Sequence, residues 1–191
     1  MSVITPFIIS GGPGSGKTSL INALHKLGVA TYPEIPRKLI EEQSKRVDGI
    51  LPWSQLSAFA DLCLTEMVEQ RKAALGGGRL AVLDRAIPDI CGYLHLADIS
   101  IQESIAKEAQ KNYQNQVFFC KPEPEIYVSD EVRPYPYEQA LEIHHSLLQT
   151  YQKLGYQIVD VPLLSIAERA EFVLEAINKI TSQEPATRSD A

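Results

Sequence analysis

Val3-Ile4-Thr5-Pro6-Phe7-Ile8-Ile9-Ser10, then Gly11-Gly12-Pro13-Gly14-Ser15-Gly16-Lys17-Thr18, then Ser19-Leu20-Ile21 with Leu24 beyond, reads as strand, loop and helix in succession. Four glycines within six positions let the loop backbone curl so that its N–H groups point inward, and the following helix adds its positive N-terminal end. The ligand that matches such a nest is a polyphosphate. Gly12, Pro13, Gly14, Ser15, Gly16, Lys17, Thr18 and Ser19 are therefore expected to hold a nucleoside triphosphate, ATP or GTP. In this pattern the Lys17 ammonium reaches the β- and γ-phosphates and the Thr18 hydroxyl holds Mg²⁺.

The bulk of the chain sets limits on what surrounds that loop. With 191 residues it fits one domain with an inserted lid, and a net charge of −6 argues against a nucleic-acid partner, whose phosphates call for clustered Lys and Arg. Cys63, Cys91 and Cys120 are odd in number, far apart and each in an apolar segment, so they read as buried thiols. No charged and apolar leader opens the sequence, and no apolar run approaches membrane-spanning length. The expectation is a cytoplasmic protein without a membrane partner.

Outward from the loop, strands and helices alternate. Val29 to Tyr32 is a short strand leading into Pro33-Glu34-Ile35-Pro36-Arg37. Ligands of open α/β sheets bind outside the carboxyl ends of the strands, which makes Glu34 and Arg37 candidate acceptor-binding residues. Gln43 to Trp53 reads as a loop, and Ser54 as the cap of a helix carrying Phe59, Ala60, Cys63 and Met67 up to Gly76-Gly77-Gly78. Leu80-Ala81-Val82-Leu83 then runs into Asp84-Arg85. An apolar strand closing on an acid supplies the carboxylate that orients Mg²⁺ opposite Thr18, so its strand must lie beside the loop's own. Hydrolytic motors place a Glu after that Asp. Here Arg85 follows, a cation suited to gripping a phosphate or a charged acceptor, which favours transfer over hydrolysis. Asp89, four residues on, is a further candidate acceptor-binding residue and a favourable charge for a helix first turn.

Ser100 to Glu103 has the form of a capping box for a helix with Ile101, Ile105, Ala109 and Tyr113 on one side. Gln116 to Cys120 is the fourth strand. Residues 121–136, rich in proline and charge, read as a lid whose only arginine, Arg133, swings onto the transferring phosphate. A helix with His144 in its apolar stripe, the fifth strand Gln157 to Val161, and a last helix boxed by Ser165 and Glu168 complete a domain over residues 1–181. Residues 182–191 read as a disordered tail. The alternation calls for a five-stranded, mostly parallel sheet with helices on both faces.

The set of motifs at 11–18, 33–37 (P-E-I-P-R), 51–53 (L-P-W), 84–89 (D-R-A-I-P-D), 130–133 (D-E-V-R) and 154–162 with Glu168-Arg169 following resembles the small P-loop AAA/kinase-like proteins grouped with the ribosylnicotinamide kinase domain of a bifunctional NAD-biosynthesis regulator. It is similar, more distantly, to thymidylate and nucleoside kinases. The resemblance implies a three-layer P-loop NTPase fold and a kinase that moves phosphate from Mg²⁺-ATP to a small nucleoside-like or nucleotide-like acceptor. It also implies catalytic roles for Lys17, Asp84, Arg85, Arg133 and Glu34, with Glu34 facing the acceptor hydroxyl. The alternative is a switch or slow NTPase whose lid orders on the γ-phosphate and is displayed to a protein partner.

Overall fold

No face of strand β1 (Phe7–Gly11) meets water. Its alternate residues go to opposite layers. In the computed structural model, which describes residues 4–127 and 136–183, Phe7 and Ile9 pack with Leu20 and Leu24 of α1 (Lys17–Lys26) and with Val173 and Ile177 of α7 (Ile166–Gln183). Ile8 points the other way, into a cluster with Ile143, Leu147 and Tyr151 of α6 (Tyr137–Lys153). A strand that is apolar on both faces belongs in the middle of a parallel sheet covered on both sides.

That is where β1 lies. Its neighbours are β3 (Ala81–Asp84) and β4 (Gln116–Cys120), with β2 (Ala30–Tyr32) and β5 (Gln157–Asp160) at the edges, in the order β2-β3-β1-β4-β5. Every pairing is parallel. Ile9 pairs with Asp84, so the carboxylate that closes β3 stands level with the start of the glycine loop.

A third apolar cluster sits outside the sheet, where Leu39 and Ile40 of α2 (Ile35–Gln43) meet Phe59 and Met67 of α3 (Leu56–Gly76), Ile90 and Leu94 of α4 (Ile87–Leu96), and Ile105 of α5 (Glu103–Glu108). The sequence reading assigned no helix to Ile35–Gln43. Its signal is Pro36 in the first turn followed by Leu39, Ile40 and Gln43 on the buried side. Two expected caps do not form. Gln55, not Ser54, is the N-cap of α3, and the Ser54 hydroxyl donates to the Leu51 carbonyl at 3.4 Å. Gln102 precedes α5 without a side-chain cap, and Ile101 and Tyr113 fall outside that short helix. Burial of Ile105 and Ala109 sets the segment's position where local cap chemistry does not. The other expected box does form: the Ser165 N–H and hydroxyl donate to Glu168 at 3.0 and 2.6 Å. Among the described residues no helix is long and apolar enough to cross a membrane. The last helix runs to Gln183, two residues past the expected domain end.

Candidate functional site

The glycine loop is shaped from below as well as by its own sequence. Gly11, Gly14 and Gly16 take φ of 129°, 71° and 77°, values that side chains resist, while Gly12 is needed for space: a Cβ there would stand 2.5 Å from Pro122 and 2.7 Å from the Ala140 carbonyl. Two distant side chains hold the loop. The Gly12 N–H donates to His144 Nδ1 at 3.3 Å, and Arg169 Nη2, on a side chain only 3% exposed, donates to the Ser15 carbonyl at 3.1 Å. Burial, His145 and Lys17 push the His144 imidazole down to about 4, so it is neutral and able to accept. Sequence reasoning left His144 as a core or rim residue and gave Arg169 no role. The only signal for Arg169 was its place beside Glu168 in the last motif.

Lys17 lies across the loop, its ammonium donating to the Gly12 carbonyl at 2.6 Å and to Ser15 Oγ at 3.0 Å. Burial, then the nearby Arg85, lower its pKa to about 8, against the pull of Asp84 and Glu34. The charged form therefore costs stability below about pH 8, and that cost fades as the pH rises toward the ordinary 10.5. A bound polyphosphate favours the charged form. The affinity for a non-hydrolysable triphosphate is expected to hold up to about pH 8 and then weaken toward a tenfold loss per pH unit. Calorimetric titration across that range checks this, and a Lys17→Arg profile as steep as the native one would contradict it.

Pro13 to Ser19 line a cavity of about 140 Å³ together with Glu34, Arg37 and Tyr127. The donor loop and two of the four residues expected at the acceptor, Glu34 and Arg37, thus share one space, while Arg85 and Asp89 do not line it. Tyr127 was not foreseen. Arg37 sits in the first turn of α2, 3.4 Å from Glu41 one turn on. Arg133 and half of the expected lid, residues 128–135, lie outside the described residues.

Glu34, the N-cap residue of α2, belongs to a buried charge network. Arg85 is fully buried in a left-handed backbone conformation, φ 66°, immediately after β3. Such a conformation costs roughly 1–3 kcal/mol outside glycine and turns the side chain across the sheet edge. Its Nε donates to Glu34 Oε1 at 2.7 Å and its Nη1 to Asp89 Oδ1 at 2.8 Å. Burial works against the guanidinium charge, but Tyr93, Glu34, Asp89 and Asp84 outweigh it and hold the pKa well above its ordinary value. Its Nη2 has no hydrogen-bond partner among the described residues. Asp89 also accepts from the Ser10 hydroxyl at 2.7 Å, the Ala86 N–H at 3.0 Å and the Tyr151 hydroxyl at 2.6 Å. It ties β1, α4 and α6 to Arg85 and caps the first turn of α4.

Thr18, Glu34, Arg37 and Asp84 line an adjoining cavity of about 230 Å³. A hydroxyl and a carboxylate facing one space are hard oxygen donors of the kind Mg²⁺ accepts when phosphate and water supply the rest of its shell. No group of three or more His, Cys, Asp or Glu that would hold an ion by itself occurs among the described residues. The donor set fits a metal carried in with phosphate.

Comparisons with known proteins bear on the family and the fold. The sequence matches a family model described as an AAA domain over residues 6–169. The fold is similar to deoxyadenosine kinase from M. mycoides, with TM-score 0.55 and 15% identity over 91% of this chain and 99% of that one. It is also similar to thymidylate kinase from Candida albicans, with TM-score 0.64 and 18% identity over 94% and 93%. No curated protein matches the chain in sequence. At these identities the structural likeness is one of fold.

Proposed function

We propose, for a chain that belongs to the AAA-domain family and carries a P-loop kinase fold, that it is an ATP- or GTP-dependent phosphotransferase acting on a small acceptor. The observation that carries the reading is the shared cavity: Glu34 and Arg37, from the end of β2, face the same space as Gly14 to Ser19. A hydrolytic site needs only to place a water. This one has a second wall, built from a carboxylate fixed by a buried arginine.

In the proposed reaction the acceptor oxygen forms a bond to the γ-phosphorus, the bond from that phosphorus to the bridging oxygen breaks, and the nucleoside diphosphate leaves with the electron pair. Glu34 receives the acceptor's proton, and Arg85 is the positioning residue that sets its orientation at 2.7 Å. Lys17 and the loop N–H groups hold the charge that develops on the phosphates. Thr18 and Asp84 would hold Mg²⁺, which when bound neutralises phosphate charge. Arg37 meets the acceptor, and Arg133, by sequence, joins the transferring phosphate. Grouping with ribosylnicotinamide kinase rests on the motifs alone and remains part of the proposal.

Acceptor-stimulated release of nucleoside diphosphate tests the reading. Glu34→Gln keeps the shape and a bond to Arg85 but cannot take a proton, so kcat is expected to fall on the order of 10²–10⁴-fold with triphosphate affinity nearly unchanged. Steady hydrolysis that no acceptor accelerates, with Glu34→Gln as fast as the native chain, would mark a switch or NTPase instead.

A further inference from the structure

Arg169, near the start of α7, lies behind the phosphate loop, outside the cavity that Pro13 to Ser19 line. Its side chain is buried, and its Nη2 donates to the Ser15 carbonyl at 3.1 Å from 154 residues away. Its Nη1 stands 2.8 Å from the place a Cβ on residue 16 would take, so the guanidinium packs directly on the Ser15–Gly16 peptide. Glycine is needed there for space as well as for its φ of 77°. The Arg169 Nε has no hydrogen-bond partner among the described residues. A buried cation with a donor left unmade costs stability, and an apolar side chain of similar volume is often neutral or stabilising in such a place. Packing alone therefore does not account for an arginine here.

What the bond does follows from peptide geometry. The Ser15 carbonyl and the Gly16 N–H belong to one planar unit, and in a trans peptide the two point in opposite directions. Arg169 draws the carbonyl backward, which turns the Gly16 N–H toward the cavity on whose wall Ser15, Gly16 and Lys17 lie. A charged donor on the carbonyl also polarises the peptide, which makes its N–H the stronger partner for an anion. Glycine accepts φ of either sign, so without that anchor the same peptide is free to turn over. We propose that Arg169 is a positioning residue for the polyphosphate: it fixes and polarises the Ser15–Gly16 peptide, so that the Gly16 N–H is aimed at a phosphate oxygen before the ligand arrives. Binding then needs less ordering of the loop. The inference rests on the triphosphate-binding half of the proposed function and not on transfer to an acceptor.

The test titrates the full chain with inorganic tripolyphosphate and with a non-hydrolysable ATP analogue, each with Mg²⁺, by calorimetry, and follows the Gly16 amide resonance by NMR. Arg169→Met keeps most of the packing and removes the donors and the charge. It is expected to weaken both ligands by the same factor, about 10–100-fold, the span of one charge-assisted hydrogen bond. The Gly16 amide proton of the ligand-free chain is expected to move upfield as its peptide loses polarisation. Arg169→Lys, which keeps the charge and a donor, is expected to recover part of both losses. Should Arg169→Met not fold, Arg169→Gln, a neutral donor of shorter reach, is expected to show the same equal weakening. A loss confined to the ATP analogue overturns the proposal: Arg169 also lines a cavity of about 20 Å³ with Lys121, Ile126, Val161 and Leu163, and would then act on the nucleoside. Unchanged binding of both ligands with a lowered unfolding midpoint overturns it too, and makes the residue a strut. A native chain that binds neither ligand overturns the triphosphate reading and the inference with it. Equal weakening in a chain that never turns over an acceptor supports the inference and overturns phosphotransfer.

Discussion

Replacing Lys17 by Met is expected to lower turnover on the order of 10²–10³-fold, the loss seen when one preorganised donor to developing charge is removed from an enclosed site. Triphosphate affinity falls with it, because the ammonium is the cation of the loop cavity that the loop itself supplies. The same substitution is expected to leave the ligand-free protein at least as stable as before. Lys17 is 6% exposed and its charge is opposed first by burial and then by Arg85, so an uncharged chain of similar length removes a cost. The loop's internal bonding survives the change, since Ser15 Oγ still donates to the Gly12 carbonyl at 2.8 Å. Thermal unfolding without ligand, set beside single-turnover transfer, checks both halves. A variant that unfolds well below the native chain would show that Lys17 holds the loop together and that its loss of turnover is structural.

Asp89→Ala is expected to act in the opposite sense, with stability as the main casualty. One carboxylate receives Arg85, Ser10, Ala86 and Tyr151, and its removal leaves a fully buried guanidinium with Glu34 as its one hydrogen-bonded carboxylate among the described residues. Breaking one side of a buried ion pair costs about 3–5 kcal/mol, more than a pair at the surface contributes. For a chain of this size that lowers the midpoint of unfolding by about 6–20 °C. Asp89→Asn keeps the shape and one acceptor oxygen and should fall between the two. Scanning calorimetry of the three proteins decides the matter. If Asp89→Asn instead raises KM for an acceptor with its unfolding midpoint unchanged, Asp89 is a ligand contact and its four internal bonds are incidental.

The contrast between these two residues shows where sequence reasoning stops. Lys17 was legible because its role follows from neighbours in the chain: a strand before, glycines around and a helix after. Asp89 was legible as a candidate acceptor-binding residue and as a charge in a helix's first turn, not as the centre of a buried network. Its Tyr151 contact spans 62 residues, and nothing in the local pattern of either segment foretells it. The missed helix Ile35–Gln43 and the unformed Ser54 and Ser100 caps show the same limit at smaller scale. Local cap chemistry amounts to roughly 1 kcal/mol, and burial of a few apolar side chains in the outer cluster exceeds it.

By itself the sequence determined the glycine loop, the alternation of strand and helix, and the parallel sheet, with Asp84 placed beside the loop. Each depends on periodicity, turn chemistry or the handedness of a crossover, all of which act over a few residues or one βαβ unit. The tertiary structure decided the rest. It brought Glu34 to Arg85 across 51 residues, set His144 and Arg169 against the loop from 132 and 154 residues away, and left a charged cavity at the loop and an apolar one between α2, α3 and α4. Those pairings rest on how helices pack over the sheet, where contact free energy is collected between segments that carry no local signal of each other.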